Sequence, residues 1–138
     1  MRILVADDDL VFRTLLSNML EQWQLKVVLA TDGQEAWDIL SGANAPRLLL
    51  VDWMMPRMDG FEVCSKVRAG KHGEDTYILL MTASHNKEDI MRVLVAGADD
   101  YLLKPFDPID LQIHIRTAMR IMRLRDELRQ ARRLAAVA

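Results

Sequence analysis

Apolar residues along this chain alternate between two rhythms. Ile3–Ala6, Leu25–Ala30, Leu48–Val51 and Tyr77–Met81 are unbroken apolar or nearly apolar runs, and Asp100–Leu103 is a shorter one. Such runs read as strands shielded on both faces of a sheet. Between them the apolar residues recur at helical spacing. Asp9 caps a helix carrying Phe12, Leu15, Leu16, Met19, Leu20 and Trp23 on one face. Thr31-Asp32-Gly33 turns into a second helix with Ala36, Ile39 and Leu40 inward, which ends over Gly42 to Pro46. Asp59 caps a third helix with Phe61, Cys64 and Val67, stopping near Gly70. Asn86 caps a fourth with Ile90, Met91, Leu94 and Val95, terminated by Gly97. Asp107-Pro108 opens the last helix, a cap followed by proline at its first position. Five strands alternating with five helices call for an α/β domain: a parallel sheet, helices on both faces, right-handed crossovers.

The strands end in reactive side chains. The first ends at Asp7-Asp8, the third at Asp52, the fourth at Thr82 and the fifth at Lys104. Parallel strands bring all of these to one sheet edge, where ligands of open α/β folds bind. Asp52 by itself can be a nucleophile, a metal ligand or a turn residue, and a turn or helix cap is the commoner role of a lone Asp after a strand. The set narrows that choice. Packed carboxylates repel unless protonated or bridged by a cation. A few hard oxygen ligands suit Mg²⁺, which keeps waters and shares its site with phosphate. A lysine and a threonine opposite the acids are the donors a phosphoryl group needs.

Composition adds bounds. The 138 residues suit one domain with a short tail, and 51% apolar with 28% charged residues is ordinary for a globular chain. A net charge of −2 exerts no general pull on nucleic acid or anionic lipid. The single cysteine, Cys64, excludes an internal disulfide and suits a reducing cytoplasm as a core residue. No apolar run is long enough for a membrane span, and no signal peptide precedes the first strand. His72, His85 and His114 are not at metal-ligand spacing.

The segments ILVADDD (3–9), VDWMMPRMDG (51–60), MTAS (81–84) and AGADDYLLKPF (96–106) resemble, in sequence and spacing, the receiver domain of two-component response regulators. The likeness covers roughly residues 1–120. It implies a flavodoxin-like, doubly wound (βα)5 fold, strand order 2-1-3-4-5. It implies that Asp52 accepts a phosphoryl group from a sensor histidine kinase or a histidine phosphotransfer protein. Mg²⁺ would be held by Asp8 directly, by Asp7 partly through water, by Asp52 and by the backbone carbonyl of Met54. Lys104 and Thr82 would contact the phosphoryl oxygens, and Lys104-Pro105 would be a cis peptide. Tyr101 would turn inward as Thr82 engages the phosphate, changing the face formed by helix four, strand five and helix five. Met54 and Ser84 occupy positions that influence how fast the phosphoryl group is lost. Trp53, beside Asp52, is expected to report Mg²⁺ or phosphate by its fluorescence. A cytoplasmic switch is implied, not an enzyme turning over outside substrates.

The last helix outruns such a domain, so the expected division is 1–120 for the receiver and 121–138 for a continuous helical extension. Leu111, Ile115, Ala118 and Met122 form one stripe. Thr117, Ile121, Leu124, Leu128, Ala131 and Ala135 form a second, with coiled-coil spacing, roughly 130° around the helix. The arginines around it, Arg116, Arg120, Arg123, Arg125, Arg129, Arg132 and Arg133, lack interleaved aromatics, which favours a charged helix face over direct nucleic-acid binding. The tail resembles linkers to enzymatic output domains such as diguanylate cyclases or serine phosphatases. A homodimer through this helix, and an output domain beyond it, are expected.

One alternative comes from another class. Asp7-Asp8-Asp9-Leu10-Val11 fits the opening motif of haloacid-dehalogenase-type phosphohydrolases, with Asp7 as nucleophile and Asp99-Asp100 as late metal ligands. That reading leaves DWMMPRMDG without a role. A flavodoxin-like cofactor binder lacks a phosphate loop after strand one.

Overall fold

The computed structural model describes residues 1–137. In chain order the elements are β1 (Arg2–Ala6), α1 (Leu10–Gln22), β2 (Lys26–Ala30), α2 (Gly33–Leu40), β3 (Leu48–Asp52), α3 (Gly60–Ala69), β4 (Tyr77–Thr82), α4 (Lys87–Val95), β5 (Asp100–Leu103) and α5 (Pro108–Val137). The strands form one parallel sheet in the order β2-β1-β3-β4-β5. This is the flavodoxin-like architecture expected from the sequence.

The three central strands explain their own composition. Every residue of β3 and β4, and Ile3 to Ala6 of β1, is buried. The edge strands β2 and β5 are only partly covered. Burying each large aliphatic side chain contributes roughly 1.5–3 kcal/mol, so β1, β3 and β4 anchor the fold. Helix starts are set by polar side chains. Asp9 accepts from the backbone of Val11 and Phe12, Asp32 from Glu35, Asp59 from Glu62 and Asn86 from Glu88.

Two expectations about helix faces change. Leu16 and Leu20 of α1 are buried, but Leu15 is exposed. It lies about 100° from Leu16. On α4 the buried residue is Val93, with Ile90 half-buried on the same stripe. Met91, Leu94 and Val95 face outward. Apolar spacing alone did not distinguish the two sides of a short helix.

The chain divides into two compact units, Met1–Pro105, with the sheet and α1–α4, and a second that begins at Phe106 and contains α5. Within the second unit, Asp107 caps the helix by accepting from the Asp110 amide (2.9 Å). The 30 residues of α5 extend about 45 Å. Leu111, Ile115, Ala118 and Met122 are buried, and no described residue past Met122 is. The extension read over 121–138 is helical through Val137, and Ala138 lies outside the described residues. No described helix is long and apolar enough to cross a membrane.

Candidate functional site

Strand register assembles the site. Ala6 pairs with Val51, Asp52 with Met81, and Thr82 with Leu103. The residues that end or follow those strands, Asp7, Asp52, Thr82 and Lys104, therefore share one sheet edge.

Asp7 is fully buried, with each oxygen committed. Its Oδ1 accepts from the Asp9 amide (2.9 Å), and Lys104 Nζ lies 3.1 Å from its Oδ2. Its backbone carbonyl accepts from Arg13 Nη1 at 2.7 Å. Asp52, 9% exposed, lies 3.1 Å through Oδ1 from the same Lys104 Nζ. Asp8 is exposed. One oxygen from each of Asp7, Asp8 and Asp52 lies within 4.8 Å of the other two. When all are ionised, three carboxylates against one ammonium leave two negative charges uncompensated. Burial pushes the Asp52 carboxyl up to about 6 from 3.8. Lys104 pulls it down, while Asp7 and Asp8 push it further up. Such a group carries its negative charge at a cost that a divalent cation removes.

The loop after β3 is held close. The Trp53 amide donates to the Met81 carbonyl (2.9 Å), extending strand pairing past Asp52. The Gly60 amide donates to the Trp53 carbonyl (2.8 Å). A Cβ on Gly60 would come 2.5 Å from the Asp52 carbonyl oxygen, so only glycine lets α3 start against this strand end. The Met54 side chain is exposed.

Thr82 is buried, its Oγ1 accepting from the Ser84 amide (3.1 Å). Its carbonyl accepts from the Lys104 amide (2.8 Å), which places that lysine. The Lys104-Pro105 peptide is cis. Tyr101, paired in register with Leu80, is half-buried against the core. Asp52, Met54, Thr82, Ser84, Asp89 and Lys104 all line a cleft of about 460 Å³.

Three contributors escaped sequence reasoning. Lys104 Nζ sits 4.4 Å from the Phe12 ring centroid, a cation–π contact from a residue read as core. Arg13, on α1, was given no role by the sequence and donates to the Asp7 carbonyl. Asp89, in the first turn of α4, was given no role by the sequence and accepts from Ser84 Oγ at 2.6 Å. None carries a sequence signal that separates it from an ordinary helical residue.

The hydrolase alternative is not favoured. Asp99 pairs with Arg68 Nη2 (2.7 Å) and accepts from the Ile78 amide (2.8 Å). It precedes β5, at the opposite end of that strand from Lys104. Among the described residues, the group of acids that can hold a metal is Asp7, Asp8 and Asp52. Cys64 is a buried core thiol, pushed up to about 12 by desolvation.

The response regulator receiver domain model matches residues 3–116. The chain is 39% identical over 109 residues to a chemotaxis protein CheY homolog of Campylobacter jejuni, covering 78% of this chain and 84% of that one. It is similar in structure to the receiver domain of a sensor histidine kinase from Pseudomonas aeruginosa, solved with a magnesium ion coordinated in the active site cleft. There the TM-score is 0.76, with 31% identity over 86% of this chain and 94% of the other. It is also similar to a probable two-component system response regulator/GGDEF domain protein, with TM-score 0.82 and 29% identity over 89% of this chain and 50% of that one. With the acidic cluster, strand order and sequence match in agreement, the chain belongs to the response regulator receiver domain family.

Proposed function

We propose that Asp52 is the phosphoacceptor of this receiver domain. The observation that carries the reading is the convergence of three carboxylates, with one lysine amine 3.1 Å from both Asp7 and Asp52. An Asp52 oxygen attacks the phosphorus of a phosphohistidine on a histidine kinase or phosphotransfer protein. The P–O bond forms, the P–N bond breaks, and the donor histidine regains its electron pair. The spacing of the acids fits a divalent ion. Asp7, Asp8, Asp52 and the Met54 carbonyl would hold Mg²⁺, which supplies charge neutralisation when bound. Lys104 exchanges its carboxylate partner for a phosphoryl oxygen. Thr82 donates its hydroxyl proton to another, drawing its loop toward the phosphate. Tyr101 responds on the face of α4 and β5.

Leu10, Val11 and Leu15 are exposed on the start of α1, just past the Asp7–Asp9 segment. This apolar surface, following the Asp7–Asp9 segment in the chain, suits contact with the phosphodonor. The chain acts as a cytoplasmic switch whose only chemistry is gaining and losing its own phosphoryl group. The exposed seam along the end of α5 supports a homodimer coupled to an output domain. The similarity to a protein of which this chain covers half supports that domain architecture.

The test is intact-protein mass after incubation with Mg²⁺ and acetyl phosphate. Wild type should gain one phosphoryl group, while Asp52→Ala and an EDTA control should not. No adduct, with phosphate released by a route that needs Asp7 but not Asp52, would overturn the assignment.

A further inference from the structure

The two hydroxyls in the cleft are set with opposite polarity. Thr82 Oγ1 accepts from the Ser84 amide, which leaves its own proton for a phosphoryl oxygen. Ser84 Oγ donates its proton to Asp89 Oδ2 at 2.6 Å and accepts from the Asn86 amide at 3.2 Å. A hydroxyl has one proton and two lone pairs, so the capacity left on Ser84 is that of an acceptor. It faces the cleft that a phosphoryl group on Asp52 would enter, and the Asp89 side chain is 29% exposed. Water that cleaves the aspartyl phosphate must pass through the same cleft.

We propose that Asp89 is a positioning residue for loss of the phosphoryl group, acting through Ser84 as a proton relay. The inference rests on Asp52 being the phosphoacceptor. A water oxygen bonds to phosphorus as the bond from phosphorus to the Asp52 oxygen breaks, and Asp52 leaves as carboxylate. One water proton passes to Ser84 Oγ, whose own proton passes to Asp89 and then to solvent. The other water proton stays on the released phosphate. Asp89 also keeps the Ser84 proton turned away from the phosphoryl oxygens, so Ser84 does not stabilise the phosphorylated state.

The experiment compares wild type, Asp89→Asn, Ser84→Ala and the double variant. Each is phosphorylated with acetyl phosphate and Mg²⁺, freed of donor, and followed by intact mass in H₂O and D₂O. Asparagine keeps an acceptor oxygen for Ser84 but takes no proton. The rate of loss is read from the adduct each variant has already formed, so it is measured independently of uptake. Loss should slow at least ~100-fold in each single variant, within the range expected for removing a general base. The double variant should be no slower than the singles, and the solvent isotope effect of wild type should fall toward one in Asp89→Asn. Loss at the wild-type rate in Asp89→Asn, or additive slowing in the double variant, would overturn the relay. Absence of any adduct on wild type would instead overturn the Asp52 assignment.

Discussion

Asp52 carries the conflict on which this domain depends. Its carboxyl is raised from 3.8 to about 6 by burial, against the pull of Lys104 and with the push of Asp7 and Asp8. A raised carboxyl means that the folded state holds its proton more tightly than the unfolded chain does. This contribution to stability is therefore present below pH 4 and lost as pH rises through 6. The full difference is on the order of 3 kcal/mol. Asp52→Asn should accordingly be more stable than wild type at pH 7.5, by about 1–3 kcal/mol, with the gap closing toward pH 4. Urea unfolding across that range measures it, and a gap independent of pH would contradict the electrostatic origin. Mg²⁺ should narrow the gap at pH 7.5 by stabilising wild type. Gly60 is a second single-residue constraint. Gly60→Ala would force a Cβ to within 2.5 Å of the Asp52 carbonyl. A loss of about 1–3 kcal/mol is expected, together with weaker Mg²⁺ binding as the β3 end shifts. Unfolding and calorimetric titration of the same variant check both effects.

At the scale of elements, α4 and α5 each leave large apolar side chains uncovered. Met91, Leu94 and Val95 face solvent on α4, and Leu124, Leu128 and Leu134 on α5. The α5 seam places Ile121, Leu128 and Ala135 at one core position of the heptad, and Thr117, Leu124 and Ala131 at the other. In a parallel pair, Glu127 then faces Arg132 of the second copy, twice by symmetry, whereas an antiparallel pair centred between Leu124 and Leu128 sets Glu127 against itself. A parallel homodimer is the expected arrangement. Leu124→Ser with Leu128→Ser should shift the sedimentation equilibrium to monomer. Glu127→Arg should weaken association and Glu127→Arg with Arg132→Glu should restore it. A double swap no better than the single variant would rule out this pairing.

For the whole molecule, the proposed exchange of a cation, a phosphoryl group and a lysine at one sheet edge would have to be read out elsewhere. Trp53 directly follows Asp52. Its ring packs edge-on to Phe61 at 4.5 Å, and the Arg92 guanidinium of α4 lies 5.7 Å from it. In a chain with Trp23→Phe and Trp37→Phe, Trp53 emission should change on saturation with Mg²⁺ and again with acetyl phosphate. Arg92→Ala should reduce the second change more than the first. Emission unaltered by either addition would remove Trp53 as a reporter. Only a ligand with different affinity for the two states moves such an equilibrium.

How much of this was legible beforehand varies with the kind of interaction. Short apolar runs such as Leu48–Val51, alternating with helically spaced segments, fit doubly covered strands, so the α/β class followed from sequence, as did the helix caps at Asp9, Asp59 and Asn86. The strand-end acids and Lys104 were likewise visible, because parallel topology sends successive strand ends to one edge. Faces of short helices were not. Leu15 and Met91 satisfy helical spacing yet point outward, since one turn of apolar residues fits two stripes about 100° apart. The Ser84–Asp89 hydrogen bond and the Phe12 ring against Lys104 also required the tertiary structure. Local sequence sets which residues a helix or strand offers, but the direction of a hydroxyl proton or the neighbour of an amine depends on how separate segments meet in space.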